Sequence, residues 1–233
     1  MRSAEQFARK AKLTLKDIGL LTRALTHRSY VNEHEDSLED NERLEFLGDA
    51  ALDFLSGAYL YKHFPEMDEG QLTRLRSALV RTEQLAEFAQ EIDLGESLLL
   101  GHGESLTGGR ERPALLCAGF EALMGALYLD SGIEAVDEFM RPRFGKAVEA
   151  AMQDESLFDS RSRLQIWAQG EVGDTPEYET VDTRGPDHAR EFVVVVRIRG
   201  EVQGEGWGPS KHAAAQAAAA DALSKLDPAS ANL

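Results

Sequence analysis

The 233-residue sequence predicts an all-α domain followed by a small α+β domain of order α-β-β-β-α. Three observations carry this. The first 150 residues hold long segments with apolar residues at i, i+3 and i+4, the helical period. A polar stretch without periodicity, Met152–Ser160, follows them and is expected to be a linker. Beyond it, three short runs with strand character lie between two helical segments. The expected boundaries are 1–152, a linker at 153–160, and 161–228.

In chain order, Leu15–Leu25 is a periodic helical segment, and Asn41–Phe64 is a long one closed by Pro65. Glu69–Ile92 continues the pattern as one helix. Gly101–Arg112, with four glycines and little apolar content, is expected to be a loop. Pro113 suits the first turn of a helix that runs to Asp130 and ends at Ser131-Gly132. A further helix covers Glu134–Met152. In the second domain Arg163–Gly170 is helical, and Glu177–Thr183, Glu191–Arg199 and Glu201–Trp207 are strands, with a turn at Gly200. Ser210 is a good N-cap for the alanine-rich helix Lys211–Leu226.

Composition narrows the class. A hydrophobic content of 42% describes an ordinary soluble protein with enough length to bury a core. One cysteine, Cys117, excludes an intrachain disulfide and suits a reducing, cytoplasmic environment. The N-terminus has no apolar signal region, and the longest apolar stretch, Ala114–Leu129, is interrupted by Glu121, so no membrane role is expected. The net charge of −16 argues against a general attraction to nucleic acid. Neither half reverses this: residues from 160 onward carry 8 Lys+Arg against 11 Asp+Glu, and the preceding ones 17 against 30. Any polyanion must meet a local basic patch or a bridging metal ion.

The chemistry concentrates in Asn41-Glu-Arg-Leu-Glu-Phe-Leu-Gly-Asp-Ala-Ala-Leu-Asp53. At about 100° per residue, Glu42, Glu45 and Asp49 fall within an arc of roughly 60° on a helix. Leu44, Leu47, Ala51, Phe54 and Leu55 cluster on the opposite side, which is expected to face the core. A stripe of like charges belongs either on a wet surface or around a cation. Glu121 is the one charge in an apolar helix, and a buried carboxylate needs a partner. A salt bridge to Arg74, Arg76 or Arg81 would supply one. The other possibility places Glu121 beside the stripe, so that four carboxylates converge on Mg²⁺ or Mn²⁺, hard cations suited to phosphodiester hydrolysis. A di-iron bundle is disfavoured, because no histidine has a glutamate three residues before it.

The segment Asn41–Asp49 resembles the signature motif of ribonuclease III, the double-strand-specific endoribonuclease. The similarity extends through Leu25-Thr-His-Arg-Ser29, Phe64-Pro-Glu-Met-Asp-Glu-Gly70, Leu72-Thr-Arg-Leu-Arg-Ser-Ala-Leu-Val80 and Phe120-Glu-Ala-Leu-Met-Gly-Ala-Leu-Tyr-Leu-Asp130. The C-terminal segment is similar to a double-stranded-RNA-binding domain, so the resemblance covers nearly the whole chain. It implies an all-α endonuclease domain in which Glu45, Asp49 and Glu121 hold Mg²⁺, or Mn²⁺ in its place. Asp49 and Glu121 would be central to catalysis, Glu42 would position water or RNA, and Glu69 would contribute to the cleavage valley. It further implies a homodimer in which Phe46 enters a cavity of the other subunit. Cleavage would leave 5′-phosphate and 3′-hydroxyl ends with short 3′ overhangs, in ribosomal and messenger RNA processing.

One departure bears on activity. The family pattern carries an aspartate three residues before the glutamate, itself a metal ligand, where this chain has Ala118. An additional water can replace a lost oxygen on Mg²⁺. An active variant is therefore expected, the alternative being a duplex-RNA-binding protein with weakened or lost cleavage. In the second domain the resemblance implies that Gln165 lies against one minor groove. The loop Gly185-Pro-Asp-His188 would enter the next, with His188 as the contact, and Ser210, Lys211 and His212 would meet phosphates. The family's basic pair is Lys211-His212 here, and a common glutamate is Ala215. Weak, salt-sensitive binding is the expected consequence.

Overall fold

The computed structural model describes residues 3–34, 39–65, 67–153, 158–184 and 190–226. The chain divides into two compact units, Met1–His63 with Glu69–Val148, and Phe64–Asp68 with Glu149–Leu233.

The first unit is helical throughout. Its elements are α1 (Ala4–Ala11), α2 (Ile18–Ala24), α3 (Arg28–Val31), α4 (Glu42–His63), α5 (Glu69–Leu79), α6 (Thr82–Glu91), α7 (His102–Leu106), α8 (Pro113–Ser131) and α9 (Ile133–Gln153), whose last turn extends beyond the unit. Local chemistry starts several of them. Ser3 and Gln6 form a reciprocal capping box before α1. The Asp17 carboxylate accepts from Gly19 N at 2.8 Å to open α2. Pro113 occupies the first turn of α8.

α8 is the centre of the core. Leu116, Phe120, Leu123, Met124 and Leu127 are all buried on it. It is long and apolar enough to cross a membrane by length and composition, but those same residues pack inside this unit. α4 packs along it, with Ala24 of α2 and Leu44, Ala122 and Ala126 forming a tight cluster. Motif residues Leu25–Ser29 fasten the 94–101 segment. His27 N donates to Leu99 O at 3.0 Å, Leu99 N donates to Leu25 O at 2.8 Å, and Gly101 N donates to Ser29 Oγ at 2.9 Å.

Three expectations need correction. α1 was not expected, although Phe7 on it is fully buried. The helix expected over Glu69–Ile92 is two, because the chain leaves helical geometry at Arg81, extended at φ −66°, ψ 154°. The loop expected over Gly101–Arg112 contains α7 and a short 3-10 turn, Gly109–Glu111. Arg110 anchors this region, donating to the carbonyls of Gly95 at 2.8 Å and Leu98 at 2.7 Å.

The second unit holds α10 (Ser160–Trp167), β1 (Glu177–Arg184), β2 (Glu191–Ile198), β3 (Glu201–Gly208) and α11 (Lys211–Leu226). The strands form one antiparallel sheet in the order β1-β2-β3. Asp159 caps α10, accepting from Ser162 N at 2.8 Å, so the helix begins earlier than Arg163, and a π turn, Ala168–Val172, follows it. Val194, Val196 and Ile198 point from β2 onto Leu164 and the alanine face of α11. The alanines permit unusually close packing: a Cβ on Gly206 would lie 2.2 Å from Ala218 N. Residues 154–157, within the expected linker, lie outside the described residues.

Candidate functional site

The site is set by one helix crossing. α4 and α8 meet backbone to backbone at Gly48 and Gly125. A Cβ on Gly48 would fall 1.7 Å from Glu121 O, and one on Gly125 would fall 2.2 Å from Leu44 O. No other side chain fits at this contact, which brings Glu45 and Asp49 of α4 to Glu121 of α8.

The same contact corrects the expected orientation of α4. Its buried face runs through Leu44, Gly48, Leu52, Leu55, Ser56 and Leu60, turned toward Gly48. Phe54, expected to face inward, is 66% exposed. The carboxylate stripe consequently flanks the buried face instead of opposing it. This is why Glu45 is half-buried while Glu42 and Asp49 stay exposed.

Electrostatics record the convergence. Burial pushes the Glu121 carboxyl up to about 7, and the charges of Asp49 and Glu45 push the same way, against a lowering hydrogen bond from Cys117. Burial also raises Glu45, followed by the charges of Glu42, Asp49 and Asp40. No cation figures among the influences on Glu121, so the salt bridge to an arginine is not its means of compensation. Arg76 instead lies 3.9 Å from Asp53. Glu42 has an exposed arginine neighbour, with Arg28 Nη1 at 3.4 Å from its Oε1. Glu69 opens α5 and is exposed; it is not among the groups acting on Glu45 or Glu121.

The donors fit a hard divalent cation. They are carboxylate oxygens whose mutual repulsion and burial a positive charge would relieve. Among the described residues no group of three or more His, Cys, Asp or Glu side chains already stands at ligand spacing. The carboxylates are thus near enough to perturb one another without forming a closed shell. Glu45, Asp49 and Glu121 are the residues that could hold the ion. Ala118, half-buried on α8, adds no oxygen.

Sequence reasoning missed two contributors. Asp40 accepts from Glu42 N at 3.2 Å at the start of α4 and adds its charge to Glu45. Cys117, four residues before Glu121 and hence on its helix face, donates to Glu121 Oε1 at 3.5 Å. The i, i+4 spacing was the available signal for the second.

α4 also carries an outward apolar side. Phe46 is 79% exposed and Tyr61 78%, with Phe54 between them. Beside Phe54 lies a cleft of about 330 Å³ lined by Phe54, Ala58, Tyr59, Lys62, Ile133 and Arg141 among others.

In the second unit, Ser210 Oγ accepts from Ala213 N at 3.1 Å and caps α11, leaving Lys211 and His212 exposed on its first turn. Gln165 is half-buried on α10, which packs against α11. Ala215 lies in the core of this unit. His188 and the rest of loop 185–189 lie outside the described residues.

Comparison with known proteins agrees with both units. Residues 17–148 match the family model described as Ribonuclease-III-like, and residues 160–226 match the double-stranded RNA binding motif. Ribonuclease 3 of Roseiflexus sp. (strain RS-1) is 46% identical over 230 residues, covering 97% of each chain. Ribonuclease 3 of Bacillus cereus (strain G9842) is 48% identical over 222 residues, covering 94% of this chain and 90% of the relative. The crystal structure of the nuclease domain of ribonuclease III from Campylobacter jejuni matches with a TM-score of 0.57 at 37% identity, covering 63% of this chain and 96% of that one. A second structure of that domain, with a TM-score of 0.56, 37% identity and coverage of 60% and 95%, concerns structural flexibility in a region involved in dimer formation.

Proposed function

The chain belongs to the ribonuclease III family of endoribonucleases, and we propose that it cuts double-stranded RNA with a divalent cation, Mg²⁺ or Mn²⁺, held by Glu45, Asp49 and Glu121. One observation carries the metal reading: Glu121 is pushed up to about 7 by burial and by the charges of Asp49 and Glu45, and no cation figures among the influences on it. Such an arrangement costs the fold free energy unless a cation shares the site. When bound, that ion supplies charge for activating water and stabilising the leaving oxygen in phosphodiester hydrolysis.

The chain's own residues have separable tasks. Asp49 and Glu121, from different helices, present oxygens from two directions, and the Gly48–Gly125 contact fixes their separation. Glu45 adds a third, half-buried carboxylate. Glu42, exposed and next to Arg28, is placed to orient water or RNA. Hydrolysis leaves 5′-phosphate and 3′-hydroxyl ends with short 3′ overhangs. Phe46 enters the cleft beside Phe54 on a second copy, so that a homodimer cuts both strands. In the second unit Gln165 and His188 read minor-groove shape, while Ser210, Lys211 and His212 meet phosphates. The proposed organisation is a nuclease and dimerisation domain over 1–152, a linker at 153–160 and the RNA-binding domain over 161–228. Precursor ribosomal RNA and structured messenger RNA in the cytoplasm are the proposed substrates.

The reading with cleavage lost through Ala118 is not favoured, because three candidate oxygen ligands remain. The test is duplex-RNA cleavage by the purified chain across Mg²⁺ and Mn²⁺ concentrations. Activity is expected with either ion, and Ala118→Asp is expected to lower the metal concentration needed. A wild-type chain that cuts nothing at millimolar Mn²⁺ would remove the proposal. Cutting restored by Ala118→Asp would then locate the defect at the missing ligand.

A further inference from the structure

Glu121 has a neighbour to which the proposed reaction gives no task. Cys117 lies one helical turn before it on α8 and is 8% exposed. Its thiol donates to Glu121 Oε1 at 3.5 Å. Residues 118–120 are Ala, Gly and Phe, so the thiol is the one polar side chain in the turn preceding Glu121.

We infer that Cys117 is a positioning residue for Glu121: its thiol fixes the carboxylate's rotamer and selects the oxygen presented to the divalent cation. The inference rests on the proposed metal-holding role of Glu121. A glutamate side chain has several rotatable bonds, and ordering them costs free energy that a pre-set hydrogen bond removes from the binding step. The thiol is a weak donor, so its contribution is orientation and not bond strength. With Oε1 engaged by sulfur, Oε2 is the oxygen left free for the ion. Such outer partners commonly govern how well a carboxylate ligates.

Two variants separate the donor from the volume. Cys117→Val keeps an apolar side chain of similar size and removes the donor, whereas Cys117→Ser keeps a donor and loses apolar volume. Mn²⁺ affinity of the full chain is measured without RNA, by the paramagnetic resonance signal of free Mn²⁺, and metal-free melting confirms folding. Cys117→Val is expected to weaken Mn²⁺ binding about tenfold, with Cys117→Ser close to wild type. Turnover at limiting metal should follow the same order, and KM for duplex RNA should not move. Equal loss in the two Cys117 variants, equal retention, or the reverse order overturns the inference. A wild-type chain that binds no Mn²⁺ overturns the metal-holding role itself, and this inference with it.

Discussion

At the scale of single residues, Glu121 couples the site to pH. Its carboxyl is raised to about 7 in the folded chain, first by burial, from an ordinary value of 4.5. A raised folded pKa means the native state holds the proton more tightly than the unfolded state. Glu121 therefore costs the metal-free fold nothing below the ordinary value. The cost grows as pH climbs from there and is complete above about 7. Glu121→Gln removes the charge and keeps the shape. It should stabilise the metal-free chain at pH 8 by about 1 kcal/mol, or roughly 2–4 °C in melting temperature, a figure discounted for partial solvent access. At pH 4 the two proteins should melt together, and the variant should be inactive. Equal melting at both pH values would place Glu121 in a wetter setting than its burial indicates. Phe46 is the second informative residue, a large aromatic 79% exposed beside this cluster. Phe46→Asp should convert a dimer to a monomer by light scattering while leaving helicity unchanged. A variant that stays dimeric would remove Phe46 from the interface.

At the scale of elements, the crossing of α4 and α8 is the feature on which the site depends. Alanine usually stabilises an exposed helix relative to glycine by about 1 kcal/mol. At Gly125 the sign reverses, because the added Cβ would meet the Leu44 carbonyl, a backbone group that cannot rotate away. Gly125→Ala should cost about 1–3 kcal/mol of stability and lower cleavage further by parting Glu121 from Asp49; denaturant titration and turnover assays check the two effects. A stable, fully active variant would mean that the helices separate without penalty to the site. This crossing also explains what the sequence could reveal. Helical period and caps placed α4, α8 and α11, and strand character with a turn placed the three strands, because these signals are local. Period alone left the inward face of α4 ambiguous. The choice between Phe54 and Leu52 as core residue depends on Gly48 touching α8, a contact more than 70 positions away in the chain. α7 likewise forms within a glycine-rich stretch with no local helical signal, in a region fastened by Arg110 to the carbonyls of Gly95 and Leu98. The carboxylates were legible as types on a stripe. Of the partners that tune them, Cys117 left an i, i+4 signal on its own helix, whereas the charge of Asp40 on Glu45 shows only in the structure.

At the scale of the whole molecule, a chain of net charge −16 has to bind a polyanion. Long-range attraction cannot supply this affinity, so it must come from a few local cations and from shape recognition. Lys211 and His212 on the capped first turn of α11 are such a place, where exposed side chains and the helix N-terminus combine. Removing residues 153–233 should therefore reduce duplex affinity strongly while some cleavage survives at low salt. Unchanged affinity would refute the assignment of the second domain. Lys211→Ala gives a finer measurement. It should weaken binding to duplexes of different sequence by the same factor, and the slope of log affinity against log salt should fall by about 1. A sequence-dependent loss would mean that Lys211 reads bases and not phosphates. An unchanged slope would mean that it meets no phosphate. With so few cations against so large an opposing charge, each phosphate contact carries an unusually large share of the total. Binding by the intact chain should then be weak and salt-sensitive, and its affinity should fall quickly as single contacts are removed.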